Sequence, residues 1–230
     1  EVLVRWERAG EGRMLPDLFV PIAERSGLIV QLDMWVLRAA TEQLAAWTSE
    51  PALADVPISV NVSGRTLLQE SFVDDVSAAL QAHAIAPPRL TVEVTETALV
   101  TDLGLAATRL EQLRSLGVRV AIDDFGTGYT SIAHLRALPV DELKIDGSFV
   151  RHLTERGDRV LVQLIRDVAD LLGLFTVAEG VETATQVDEL AAIGCDALQG
   201  YFYSEPLGAA AIATWVADRR HTAAAYQRRS

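Results

Sequence analysis

Seven short β-rich runs recur along the chain, Glu1–Trp6, Pro57–Val62, Arg89–Thr95, Val118–Asp123, Asp141–Asp146, Leu174–Glu179 and Asp196–Gly200, and in the second to the fifth apolar and polar positions alternate with a period of two. Between them the apolar positions recur at helical spacing, over Leu32–Trp47, Phe72–His83, Leu103–Leu116, Arg159–Leu172 and Ala184–Ile193. The joints agree with this division. Gly117, Gly173 and Gly194 each close a helical pattern just before a strand, where a left-handed residue ends a helix. Asp102 and Thr183 precede helical runs, and their side-chain oxygens can accept orphan backbone N–H groups.

Strand and helix in alternation predict a parallel sheet with helices packed outside it. An open doubly wound sheet can use seven strands, whereas a (β/α)8 barrel needs one more and typically about 250 residues. The faces of the strands favour the barrel. Ile58, Val60 and Val62 oppose Ser59 and Asn61; Leu90, Val92 and Val94 oppose Thr91, Glu93 and Thr95. Val118, Val120 and Ile122 oppose Arg119, Ala121 and Asp123, and Leu143 and Ile145 oppose Glu142, Lys144 and Asp146. One face suits helices; the other turns polar toward the strand's C-terminal end, where barrel enzymes keep their chemistry. Glu179 breaks this parity by sharing a face with Phe175 and Val177, and Gly180 directly after it offers a bend that would re-aim it.

Composition narrows the picture. The chain has 230 residues, 50% of them hydrophobic, which supports one large core better than two small ones. One domain is expected over residues 1–219, with a loosely held tail over 220–230. Twenty Lys and Arg against 32 Asp and Glu give a formal charge of −12. A surface so acidic repels phosphate backbones and argues against a DNA or RNA duplex as partner. It leaves room for a small anion where bound cations invert the local charge. Cys195 is the lone cysteine, so no intrachain disulfide forms and a reducing compartment is expected. No apolar run reaches the roughly 20 residues of a spanning helix; in the greasy stretch Leu28 to Ala40, Gln31, Asp33 and Arg38 intervene. The chain opens without a signal-peptide pattern, and a cytoplasmic domain is expected.

Charged residues are rarely buried alone, yet Asn61, Glu93, Asp123 with Asp124, Lys144, Glu179 and Gln199 all fall at or near strand C-terminal ends. A single such charge fits a solvated rim; six strand ends doing the same converge on one mouth in a closed barrel. Two carboxylates about 4 Å apart repel by roughly 4 kcal/mol at an effective dielectric near 20. Lys144 supplies one counter-charge, so either some carboxyls protonate or a divalent cation binds, and the cation is the favoured reading. An all-oxygen set suits Mg²⁺ or Mn²⁺ and not zinc. His83, His134, His152 and His221 end no strand, which argues against histidine-based chemistry. No Gly-x-Ser-x-Gly elbow or phosphate loop appears. The run from Asp123 to Ser131 holds Gly126 and Gly128, as a tight connection or a mobile active-site loop requires, and its paired aspartates favour the second.

Seven motifs stand in order: Glu1-Val2-Leu3-Val4-Arg5-Trp6, Asn61-Val62-Ser63, Glu93-Val94-Thr95-Glu96, Asp123-Asp124-Phe125-Gly126-Thr127-Gly128, Leu143-Lys144-Ile145-Asp146, Ala178-Glu179-Gly180-Val181-Glu182 and Gln199-Gly200-Tyr201. Together they resemble the signature of EAL domains, bacterial phosphodiesterases of cyclic di-GMP, from Glu1 to about Pro206. The resemblance implies a modified TIM (β/α)8 barrel that hydrolyses cyclic di-GMP to linear pGpG with two Mg²⁺ or Mn²⁺ ions. It implies Glu1, Asn61, Glu93 and Asp123 as ligands of one ion, and Asp123, Asp124 and Glu179 of a second. Lys144 would position or deprotonate the attacking water, with Glu179 and Gln199 beside it. Leu3, Arg5, Asp146 and, more loosely, Pro16 and Phe19 would meet the substrate. Glu96 would anchor the loop carrying Gly126 and Gly128, and Glu182 would support the site.

Two positions depart from the pattern: Val2 stands for the family's Ala, and Glu205 where many relatives carry a basic residue. The family also has a helix, a strand and a hairpin ahead of the position of Glu1. Their absence predicts a fragment with an incomplete barrel, from a protein with an upstream sensory or GGDEF segment, and relatives also form homodimers. The alternative function is a receptor that binds cyclic di-GMP without cleaving it.

Overall fold

The computed structural model describes residues 1–10, 12–100, 102–128, 131–153 and 156–227. After the first residues come a hairpin, β1 (Trp6–Arg8) and β2 (Gly12–Met14), and two helices, α1 (Pro16–Ser26) and α2 (Ile29–Thr48). Strand and helix then alternate: β3 (Ile58–Asn61), α3 (Gly64–Leu67), α4 (Phe72–Ala82), β4 (Leu90–Thr95), α5 (Glu96–Val100), α6 (Leu103–Ser115) and β5 (Arg119–Phe125). The second half follows with α7 (Ile132–Ala137), β6 (Glu142–Ile145), α8 (Gly147–Arg151), α9 (Arg156–Leu172), β7 (Phe175–Ala178), α10 (Ala184–Ile193), β8 (Ala197–Leu198) and α11 (Ala209–Gln227). Helix α11 runs past Arg219 to Gln227.

The six strands β3 to β8 are parallel and in sequential order, each beside the next. Sequential parallel strands with helices outside form a curled half-barrel of the TIM type. The two edges approach at the mouth, where the Gln199 amide donates to Glu1 Oε2 at 2.7 Å. The core lies between sheet and helices: Ile58, Val60, Leu90, Val92, Val94, Val120, Ile122, Leu143 and Ile145 are all buried. Gly117, Gly173 and Gly194 take φ of +88°, +70° and +90°. Asp102 Oδ1 accepts Leu105 N–H at 3.0 Å, and Thr183 forms a capping box with Gln186.

Register decides which residues face inward. Asn61 pairs with Glu93, Thr95 with Asp123, and Lys144 with Val177. Side chains alternate along a strand, so Val177 shares the interior face with Lys144, and Glu179 two residues on follows it inward. The apparent break in parity was therefore no break. Strand β7 carries apolar residues on its interior face, and the strand ends at Ala178, with Glu179 N–H held by the Ile145 carbonyl at 3.1 Å.

The expected strand Glu1–Trp6 is corrected. Only Val2 bridges Val60, its N–H donating to the Ser59 carbonyl at 2.9 Å, and Trp6 belongs to the antiparallel hairpin instead. Val2 pairs on the helix side, so Glu1 and Leu3 turn to the interior. Among the described residues no helix is long and apolar enough to cross a membrane.

Candidate metal centre

Lys144 sits at the centre of the mouth, 1% exposed. Its Nζ lies 2.7 Å from Glu179 Oε1, 2.9 Å from Glu93 Oε2, 3.0 Å from Asp123 Oδ1 and 3.7 Å from Glu1 Oε2. An ammonium has three protons to donate, and the three short contacts match that number. The side chains arrive from four strand ends and from the opening segment. Around them, Asn61 Nδ2 donates to Glu1 Oε1 at 2.7 Å, while Gln199 holds the other oxygen.

A bulge in β5 brings the two aspartates together. Ile122 pairs with Leu143 and Phe125 with Ile145, so three steps on β5 match two on β6. The extra residue bends the strand, as bulges do beside functional sites. Asp124 takes φ +54°, and its N–H donates to Asp123 Oδ1 at 3.0 Å. A non-glycine residue at positive φ is uncommon and strained, and here it turns the second carboxylate toward the first.

Four carboxylates around one ammonium leave an excess of negative charge in a buried place. Burial, with Glu1 and Asp123 adding to it against the pull of Lys144, pushes the Glu93 carboxyl up to about 7. Burial and Asp123 likewise push Glu179 up to about 8. Burial and then the neighbouring Asp123 and Asp146 raise Asp124 to about 6. Lys144 moves above the ordinary lysine range: burial alone would lower it, but Glu93, Glu1, Glu179 and Asp123 together outweigh that. The ammonium is firmly charged in these surroundings.

Two sets of oxygen donors fit divalent cations. Ligand atoms of Glu1, Glu93 and Asp123 all lie within 4.8 Å of one another, as do those of Asp123, Asp124 and Glu179. Asp123 belongs to both sets. All-oxygen carboxylate sets select hard cations, and added positive charge would relieve the repulsion that raises Glu93 and Glu179.

Beside the cluster opens a cavity of about 890 Å³, lined by Leu3, Pro16, Val20, Leu32 and Val62 and reaching Asp123 and Asp124. Glu96 is 2% exposed, and its Oε2 accepts the N–H groups of Gly126 and Gly128, both at 3.1 Å. A Cβ on Gly128 would lie 2.8 Å from that carboxylate, so a side chain there would displace the Glu96 carboxylate from its present position. Tyr129 and Thr130, at the end of that run, lie outside the described residues.

Of the other expected site residues, Asp146 stands closest, within hydrogen-bonding reach of Asp124. Asp146 accepts Ser148 N–H at 3.0 Å and starts α8. Arg5 donates to the Val4 carbonyl at 2.9 Å. Phe19 is buried edge-on against Trp6, ring centroids 5.6 Å apart, and is not part of the cavity wall. Glu182 is exposed, with its N–H donated to Gln186 Oε1 at 2.8 Å. Sequence reasoning assigned no role to Asp33, which is buried and lines the same cavity as Asn61; its signal was a lone acid in the apolar stretch of α2.

Known proteins are similar to this chain in sequence and fold. The family model described as "EAL domain" matches residues 1–206. The bifunctional diguanylate cyclase/cyclic di-GMP phosphodiesterase MucR of Pseudomonas aeruginosa is 41% identical over 210 residues, covering 91% of this chain and 30% of that protein. The cyclic di-GMP phosphodiesterase NbdA of the same organism is 41% identical over 225 residues, 97% of this chain and 29% of its own. The chain thus spans about a third or less of these relatives. A solved structure described as "PaMucR Phosphodiesterase, c-di-GMP complex" superposes with a TM-score of 0.87 at 41% identity, over 91% of this chain and 85% of that one. The EAL domain of Mycobacterium smegmatis DcpA gives 0.78 at 36% identity, over 83% and 86%.

Proposed function

The chain belongs to the EAL domain family, and from that premise we propose that it hydrolyses cyclic di-GMP to linear pGpG in the bacterial cytoplasm. The observation that carries this reading is the mouth itself: one buried ammonium among four carboxylates, with two oxygen trios of cation-binding geometry sharing Asp123. Glu1, Asn61, Glu93 and Asp123 would hold one Mg²⁺ or Mn²⁺, and Asp123, Asp124 and Glu179 a second. Such a pair supplies an activated water and charge stabilisation on the attacking and leaving oxygens.

The protein's own groups do the rest. The Lys144 ammonium is held at the centre of the mouth by Glu93, Asp123 and Glu179; cations taken up by those carboxylates would free one of its three protons for the attacking water. With the neighbouring negative charge neutralised, its proton affinity falls and it becomes able to exchange a proton with that water. Water oxygen adds to phosphorus, one ribose 3′ oxygen leaves and takes a proton, and the ring opens to a linear product. Gln199 and Asn61 fix the two oxygens of Glu1. Leu3 and Pro16 offer an apolar wall for the substrate beside the cluster, and Arg5 and Asp146 stand as candidate contacts at its edge. Glu96 holds the Gly126–Gly128 loop over the site.

The reading extends to a sensory or GGDEF partner domain and to self-association as a homodimer. Its test is direct. Purified chain with Mn²⁺ or Mg²⁺ and cyclic di-GMP should yield pGpG on chromatography, and chelation should stop it. Ligand bound but uncleaved under those conditions would make the domain a receptor; neither binding nor cleavage would remove the substrate altogether.

A further inference from the structure

Asp33 lies on α2, outside the cluster, and is 8% exposed. Three donors converge on its Oδ2: Ser63 N–H at 3.0 Å, Ser63 Oγ–H at 2.7 Å and Thr66 Oγ1–H at 2.6 Å. Hydrogen bonds to a charged acceptor are the strong ones, and these three tie α2 to the first turn of α3. Ser63 is the N-cap of that turn, its Oγ accepting Thr66 N–H at 3.2 Å. On the other side of the chain, Val62 N–H is fixed to the Glu93 carbonyl at 2.8 Å. Asn61, the last residue of β3, therefore stands just before a segment clamped from both sides. Its Nδ2 donates to Glu1, which leaves the amide oxygen as the atom offered to a cation.

We propose that Asp33 is a positioning residue for the ion site: through Ser63 and Thr66 it fixes where the chain leaves β3, and so aims the Asn61 amide at Glu1. A packing contact reinforces the clamp. A Cβ on Gly64 would meet the Ala98 carbonyl at 2.9 Å, so the start of α3 is pressed against α5, whose first residue is the loop anchor Glu96. If α3 shifts, Asn61 and Glu96 lose their common support. This inference rests on the phosphodiesterase reading above for the identity of the ion site.

Calorimetric Mn²⁺ titration of the folded, metal-free chain, well below its melting temperature, tests it. Asp33→Ala should weaken Mn²⁺ by about tenfold, the size of effect usual for groups that orient a ligand. Asp33→Asn keeps an acceptor oxygen for the same donors and should stay close to wild type. In an Asn61→Ala background, Asp33→Ala should weaken Mn²⁺ no further, although it still lowers the melting temperature. That absence of additivity separates positioning from general loosening. Should Asp33→Ala fail to fold, Ser63→Ala with Thr66→Val removes the donors from the other side and should weaken Mn²⁺ in the same Asn61-dependent way. Unchanged affinity in these variants, or an equal loss with and without Asn61, overturns the proposal while wild-type hydrolysis leaves the function intact. Wild-type protein that takes up no Mn²⁺ overturns both.

Discussion

The two ends of the same sheet treat charge in opposite ways. At the floor, three charged residues each stand immediately before a strand, and each has its own partners. Asp141, before β6, accepts Arg114 Nε–H at 3.0 Å and Val120 N–H at 3.0 Å. Asp196, before β8, accepts the Thr176 N–H at 2.8 Å and hydroxyl at 2.7 Å. Burial pushes its carboxyl up, but those bonds and Arg166 together hold it below the ordinary range. Arg89, before β4, donates to the carbonyls of Leu44, Leu53 and Val56 and to Thr48 Oγ1. At the mouth the numbers do not match: four carboxylates share Lys144, and Glu93 and Glu179 are raised. Charge met by local hydrogen bonds or an ion pair holds a fold; an excess of one sign crowded into a buried place calls for a counter-ion.

The largest expected effect comes from breaking the mouth at its centre. Lys144→Ala should lower cyclic di-GMP turnover by about a thousandfold, within the range for losing a positioned proton-transfer group. Binding of the nucleotide in the presence of Mn²⁺ should survive, as a binding assay would show. Full turnover in that variant would take Lys144 out of the chemistry. Next is Gly200→Ala. A Cβ there would lie 2.2 Å from the Val181 carbonyl oxygen and 2.3 Å from its nitrogen, backbone that cannot step aside. Overpacking of this kind costs about 3 kcal/mol. It should lower the melting temperature and, by displacing Gln199 from Glu1, reduce turnover as well.

The demand for counter-charge can be weighed by pH and ions together. Glu93 and Glu179 have folded values above the ordinary 4.5, at about 7 and about 8. Between those limits the folded protein holds protons that the unfolded chain has released, so metal-free stability should fall as pH rises from about 4.5 through 8. Mn²⁺ at a hundredfold excess over its dissociation constant should restore about 2.7 kcal/mol. The rise in melting temperature should be larger at pH 8 than at pH 5.5, where protons already neutralise the site. A melting temperature indifferent to Mn²⁺ at both would remove the cation from the account.

How much of this was legible in the sequence followed from what hydrophobicity can report. Glu93 and Lys144 stood out because each is a charge inside an otherwise apolar strand, and Gly117, Gly173 and Gly194 marked helix ends by chemistry alone. Glu179 was seen, but its direction was misjudged. The interior face of β7 is itself apolar at Phe175 and Val177, and only the pairing of Val177 with Lys144 tells inside from outside. Helices α3, α5, α7 and α8 are too short for a period to show, and Pro21 interrupts the pattern of α1. Asp33 was visible only as an acid in a greasy stretch. Its partners lie thirty and more positions away, a distance that no local pattern spans.

The smallest effect is the one that sharpens the contrast, and it belongs to the floor. Asp141 does two jobs there: it pairs with Arg114, both side chains about a third exposed, and it accepts the N–H of buried Val120 from the neighbouring strand. An ion pair so open to solvent contributes at most about 1 kcal/mol. A buried N–H left without an acceptor costs about 1–3 kcal/mol. Asp141→Asn keeps the acceptor and gives up only the charge, so it should melt within a degree or two of wild type, whereas Asp141→Ala gives up both and should lose about 2 kcal/mol. Neither should change turnover per folded molecule, because no atom of Asp141 reaches the mouth and its charge is already satisfied. If Asp141→Ala slowed turnover while Asp141→Asn did not, strand β5 would be carrying a shift from Val120 up to the bulge at Asp123. The two ends would then be one mechanical unit, and the division between a floor that stabilises and a mouth that reacts would fail.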